Sequence, residues 1–88
     1  MNNQNRKQIA KLIERINTLS NELSGIREEI ETLRDEEQEK YDSMPESLQE
    51  GEKGERMQSG IDNLESAISD LEGMDFDTVV NSLEEATA

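Results

Sequence analysis

The sequence predicts an all-α protein, an antiparallel helical hairpin with a long first helix, a shorter second helix and a short C-terminal helix. Two observations lead to this prediction. Apolar residues in the first part of the chain recur at alternating intervals of three and four residues, and the same alternation returns after a segment that contains Pro and Gly. This spacing is typical of helices that pair along a narrow apolar seam.

The first helix is predicted over residues 5–42, with Asn3 or Asn5 as its N-cap. In heptad notation its apolar residues fill the a and d positions for more than three repeats: Ile9, Ile16, Leu23 and Ile30 at a, and Leu12, Leu19, Ile26 and Leu33 at d. After Leu33 the pattern weakens, because Glu37 and Lys40 take the next a and d positions. The first helix is therefore expected to be best paired before its last turns.

A turn over residues 43–53 is predicted to separate the two long helices, since Pro45 cannot continue a helix. The second helix is predicted over residues 54–73, with apolar residues again spaced by three and four: Met57, Ile61, Leu64, Ile68 and Leu71. A last helix is predicted over residues 77–86, capped by Asp75 or Asp77. Its adjacent Val79 and Val80 are also compatible with a strand, but no other segment offers a strand to pair with.

The two seams define a predicted hairpin core. A turn centred near Ser47 pairs apolar residues throughout: Leu33 with Ile61, Ile30 with Leu64, Ile26 with Ile68, and Leu23 with Leu71. At the flanking e positions, Arg27 is expected to meet Glu72, and Arg34 to meet Glu65. Such exposed ion pairs contribute only about 0.2 to 1 kcal/mol each, so they favour this register more than they stabilise it.

The N-terminal half of the first helix extends beyond the second helix, and the last helix looks too short to cover it. We therefore predict an oligomer seam that meets a second copy of the chain, formed by Ile9, Leu12, Ile13, Ile16 and Leu19. In a parallel dimer Glu22 and Glu29 would face Arg27 and Arg34 of the second copy. In an antiparallel dimer the basic N-terminal turns would lie beside the acidic part of the partner. The antiparallel arrangement is favoured, because the hairpin already engages both arginines.

Composition limits the chemistry of this 88-residue single domain. The chain has no Cys and no His, so zinc sites built on those ligands and cysteine chemistry are excluded, and no cofactor is expected. A two-helix hairpin offers no cleft that would raise a carboxyl pKa, so we predict that the protein is not an enzyme.

No segment reaches the roughly 18 to 20 apolar residues of a membrane span, nor resembles a signal peptide, so a cytoplasmic location is expected.

Charge is unevenly distributed along the chain, whose net charge is -13. Residues 1–20 have a balance of +3, whereas residues 28–55 have a balance of -9. Direct binding to the phosphate backbone of nucleic acids is therefore not expected. The acidic surface is predicted to comprise Glu28, Glu31, Asp35, Glu36, Glu39 and Asp42. It is interpreted either as a solvated face or as a mimic of nucleic-acid phosphates that binds a basic groove.

The sequence around the turn resembles part of a known group of proteins. Tyr41-Asp42, followed by the segment Pro45 to Gln49 (PESLQ) and by the segment Ile61 to Ala67 (IDNLESA), is similar to a stretch of small helical-hairpin proteins of bacteria and their phages. The similarity covers residues 36–72, and many of those proteins have Ser where this chain has Gly51. The resemblance implies a helical hairpin and an origin in a phage or a prophage. It implies no chemical activity.

These observations predict a non-enzymatic, oligomerising coiled-coil module for protein interaction, an accessory protein of a phage that binds a host protein. The expected partners are a second copy of the chain and a host protein with a basic surface, with no membrane. Two alternatives remain open. In the first, the protein inhibits a host nucleic-acid-binding enzyme through its acidic surface. In the second, the protein is a structural coiled coil whose partner is a second copy of itself.

Overall fold

The computed structural model describes all 88 residues and confirms the all-α hairpin. Four helices follow one another: α1 (Asn3–Asp42), α2 (Glu46–Gln49), α3 (Glu52–Glu72) and α4 (Phe76–Ala86). The molecule measures 68 × 15 × 13 Å, and a 40-residue helix of about 60 Å accounts for most of its length. Helices α3 and α4 both contact α1, and α2 contacts α3.

Side chains cap two of the helices. Asn2, rather than the predicted Asn3 or Asn5, is the N-cap of α1, and its Oδ1 accepts the backbone N–H of Asn5 at 2.8 Å. Asp75 caps α4 by accepting the backbone N–H of Thr78 at 3.0 Å. Each cap satisfies a backbone donor that has no partner within the helix. Helix α1 therefore starts at Asn3, two residues earlier than predicted.

The turn between α1 and α3 is held by the short helix α2. The side-chain amide of Gln49 donates to the backbone carbonyl of Tyr41 at 2.8 Å, which ties α2 to the end of α1. Gly54, in the first turn of α3, is buried directly against α2: a Cβ at this position would overlap the backbone carbonyl of Gln49. The close approach of these two backbones therefore requires glycine at position 54.

Helices α3 and α4 pack on the same side of α1. The half-buried residues along this side follow the a and e positions of the heptad: Ile9, Ile13, Ile16, Ser20, Leu23, Arg27, Ile30 and Arg34. Opposite them, Ile61 and Ile68 of α3 are 1% and 5% exposed and form the centre of the core. Leu64 and Leu71 are half-buried beside them.

Two residues of the predicted hairpin core lie outside it. Ile26 and Leu33 are 40% and 51% exposed, because α3 packs over the a and e positions of α1 and not over a and d. The ion pair between Arg27, at an e position, and Glu72 of α3 agrees with this packing. The d positions are consequently left at the edge of the contact.

One of the two predicted ion pairs at the e positions forms. The Arg27 guanidinium lies 3.8 Å from a carboxylate oxygen of Glu72 on α3, and 3.9 Å from Glu31 on its own helix. Arg34 pairs with its neighbour Asp35 at 3.1 Å and not with Glu65 as predicted. The neighbouring carboxylate is within reach without any ordering of a second helix, so the local pair forms instead.

Helix α4 docks on the N-terminal half of α1 within the same chain. Phe76, Val80 and Leu83 are half-buried along one face of α4, whereas Val79 is 48% exposed. The two valines thus lie in a helix and not in a strand. The part of α1 that extends beyond α3 is therefore covered on one side by its own C-terminal helix. None of the four helices combines the length and the apolar character that crossing a membrane requires.

We predict that Gly54→Ala opens the hairpin, because the added Cβ overlaps backbone atoms that cannot move independently. The expected loss is about 3 kcal/mol or more in the free energy of unfolding, measured by chemical denaturation followed by circular dichroism. Gly60→Ala, in the same helix but with nothing within 4 Å of its Cβ, is the matched control and should stabilise the protein by about 1 kcal/mol. Equal stability of the two variants would contradict the proposed packing of α2 against α3.

We predict that docking of α4 weakens in acid. Hydrogen bonds from the side chain and the backbone of Thr78 hold the pKa of Asp75 below its ordinary value. A lowered pKa in the folded state means that the cap stabilises α4 at neutral pH and that this stabilisation is lost as the pH falls through the folded pKa. Amide hydrogen exchange in α4 should accelerate in Asp75→Ala at pH 7, and the difference from the wild type should vanish in acid. The first-turn variant Asp77→Ala is the control, and a pH-independent difference for Asp75→Ala would contradict the role of the carboxylate.

Candidate interaction surface

An open stripe of apolar side chains runs along α1 on the side that the other helices leave free. Its members are the four d residues, Leu12, Leu19, Ile26 and Leu33, which are 43%, 48%, 40% and 51% exposed. They recur every seven residues. Successive members are therefore about 10.5 Å apart, and the stripe is about 32 Å long. Isolated exposed leucines are common on protein surfaces, but a regular row of them on one side of a helix is a candidate interaction surface.

The position of the stripe follows from helix geometry. Going around α1, the a positions lie about 50° and the e positions about 100° from the d positions. Helices α3 and α4 are centred between a and e, so the d residues fall just outside their reach. Leu83 of α4 borders the stripe, because Leu12, Ile16, Leu19 and Leu83 line a groove of about 430 Å³ together with Arg15.

The structure divides the predicted oligomer seam into two sets. Ile9, Ile13 and Ile16 are half-buried on the side of α1 that faces α4, whereas Leu12 and Leu19 are exposed in the open stripe. Ile26 and Leu33 are not part of the predicted oligomer seam, because the heptad pattern assigns them to the hairpin core. The signal that would have separated them is Ile13, an apolar residue at an e position that extends the packing surface of α1 from a toward e.

A charged flank borders the stripe on the side away from α3 and α4. Lys11 and Arg15 lie along its N-terminal part, and Glu22, Glu29 and Glu36 follow toward the C-terminal end of α1. All five are exposed, and none forms a salt bridge within the chain. The flank therefore changes sign along its length, from basic to acidic, and its charges have no partner in the monomer.

The monomer exposes a large surface for its size. A compact monomer of 10.0 kDa would expose about 5,200 Å², whereas this chain exposes 6620 Å². Only three of its 88 residues are buried. The excess exceeds the roughly 800 Å² that each partner contributes to a standard protein interface. The surface of a single chain is thus large enough to supply a stable contact.

The residues of the predicted acidic surface lie along the second half of α1. Glu28, Glu36 and Glu39 are exposed and unpaired. The others have neighbours within the chain: Glu31 lies near Arg27, Asp35 pairs with Arg34, and Asp42 accepts the side-chain amide of Gln38 at 3.0 Å. The structure thus spreads these carboxylates around an exposed helix and does not gather them in one cleft.

The arrangement of ionisable groups gives no reason to assign a catalytic or metal-binding residue. No group of three or more acidic side chains is placed to hold a metal ion. Asp75 has the one clearly shifted pKa, and this carboxylate caps an exposed helix and does not line a cleft. Comparison with known proteins adds no assignment, since no protein-family model, curated protein or solved structure matches this chain.

Proposed function

We propose that this protein is a non-enzymatic coiled-coil module that oligomerises and binds other proteins through the open stripe of α1. The observation that supports this proposal is the row of Leu12, Leu19, Ile26 and Leu33, each at least 40% exposed and seven residues from the next. A heptad row of Leu and Ile is the surface with which helices recognise helices in coiled coils. A chain with so few buried residues also gains stability from any helix that covers this row.

The proposed setting is the cytoplasm of a bacterium, with the protein encoded by a phage or a prophage. The resemblance of residues 36–72 to hairpin proteins of bacteria and their phages is the basis for this origin. An assembly that holds several acidic hairpins in fixed positions would bind a host protein with a basic surface. A purely structural coiled coil, whose partner is itself, uses the same stripe.

We predict that Leu19→Asp reduces self-association. Each copy would lose one Leu from the interface and place a carboxylate there, at a cost of about 3 kcal/mol or more for the dimer, which is at least a 100-fold rise in Kd. Solution mass by light scattering across a concentration series measures this change. Because Leu19 is already 48% exposed, the helical content of the monomer should stay the same.

Asn21→Asp is the matched control for this experiment, since it adds the same charge at an exposed position of α1 away from the stripe. It should leave the mass unchanged. A wild-type chain of monomer mass at all concentrations, or an equal effect of the two variants, would contradict self-association through the stripe.

A second candidate function is inhibition of a nucleic-acid-binding enzyme by the acidic surface. It is favoured by the unpaired carboxylates of Glu28, Glu36 and Glu39, which leave a strongly negative field along the second half of α1. A helix that presents several unpaired carboxylates resembles a phosphate backbone in the sign of its charge. The negative field attracts a basic groove to the protein, and this attraction weakens as the salt concentration rises.

We predict that a chain with this function displaces duplex DNA from a basic DNA-binding protein, measured by electrophoretic mobility. The double variant Glu28→Lys and Asp42→Lys should lose this ability without losing its oligomeric mass, because both side chains point away from the stripe. The control variant Glu84→Lys and Glu85→Lys changes the net charge equally on α4. If both variants lose displacement to the same degree, the effect reflects total charge and the acidic surface has no specific role.

A further inference from the structure

We propose that the open stripe binds a second copy of this chain in antiparallel orientation, with the twofold axis between residues 22 and 23. The inference rests on the proposed function and specifies its partner and geometry. In this dimer the two α1 helices overlap along the whole stripe, and not only along the N-terminal seam. Helices α3 and α4 pack over the a and e positions of each α1 and leave the d positions exposed.

The apolar residues of the stripe are compatible with this axis. Leu12 and Leu33 lie equally far from the midpoint of residues 22 and 23, and so do Leu19 and Ile26. Inverting one helix onto the other therefore places Leu12 at the level of Leu33 of the second copy, and Leu19 at the level of Ile26. All four levels of the dimer contact are filled by Leu or Ile, with no polar residue of the d row between them.

The charged flank determines the orientation. In antiparallel helix pairs the same flank of each helix meets, with its ends inverted. Arg15 then lies beside Glu29 of the second copy, and Lys11 lies near its Glu36. These four side chains are exposed and unpaired within the chain, so the dimer gives each of them an oppositely charged neighbour. The twofold axis repeats both contacts and places Glu22 beside Glu22 of the second copy, so the flank supplies four attractive pairs and one repulsive pair.

A parallel dimer lacks this complementarity. In parallel pairs opposite flanks meet, so the acidic flank would face the side of the second copy that carries α3. Arg27 and Arg34, which would otherwise attract Glu22 and Glu29, are already paired with Glu72 and Asp35 of their own chain.

Spin-label distances distinguish the two orientations. The chain has no Cys, so Lys7→Cys and Glu28→Cys each allow labelling at one exposed site of α1. In the antiparallel dimer the two labels at position 7 are separated along the axis by about 47 Å, and the two at position 28 by about 17 Å. In a parallel dimer both pairs of labels lie at the same level, so the two positions give similar short distances.

The outcomes separate this inference from the proposed function. A long distance at position 7 and a short one at position 28 supports the antiparallel dimer. Similar distances at the two positions overturn the orientation, while self-association through the stripe stands. Absence of dipolar coupling at both positions, together with a monomer mass for the unlabelled wild type, overturns the dimer and the proposed self-association.

A charge swap tests the predicted contact between Arg15 and Glu29. Arg15→Glu and Glu29→Arg should each raise the Kd of the dimer about 10-fold, because each creates two pairs of like charges. The double variant should restore the wild-type Kd to within about twofold, since the ion pairs form again with reversed sign. A double variant at least as weak as either single variant would overturn the antiparallel register.

Discussion

The contact of α3 and α4 with the a and e positions of α1 is the interaction on which the rest of the structure depends. It buries Ile61 and Ile68 almost completely, and it brings Arg27 close enough to Glu72 for an ion pair. It also determines what remains exposed. Because a helix has a limited circumference, packing centred between a and e leaves the d residues on the open side.

The same contact explains how a chain with little apolar content folds. Burial of one narrow face requires few apolar residues, and each of the two shorter helices covers a different part of α1. Gly54 lets α2 pack against α3, Gln49 ties α2 to the end of α1, and the Asp75 cap starts α4 beside the middle of α1. The result is a rod in which α1 runs the whole length and α3 or α4 lies beside it for most of that length. Such a shape exposes more surface than a compact domain of equal mass.

The proposed functions follow from two surfaces that this contact leaves exposed. The open stripe is apolar and regular, and it is bordered by charges that change sign along the helix. The acidic surface lies farther along α1 and carries carboxylates that have no cationic partner. Because the f positions of Glu28 and Asp42 lie on the far side of α1 from the stripe, an assembled dimer would still present these carboxylates to a further protein.

The sequence by itself determined the all-α class and the order of the helices, because heptad spacing and Pro45 act locally. It also identified Asp75 as one of two cap residues. It did not determine which side of α1 the partners cover. The a residues are covered in either arrangement. Whether the d or the e residues are covered with them depends on the three-dimensional packing of Arg27, Ile13 and α4. Only the tertiary structure shows that Ile26 and Leu33 belong to the exposed row, and that Ile9 and Ile16 lie on the side covered by their own chain.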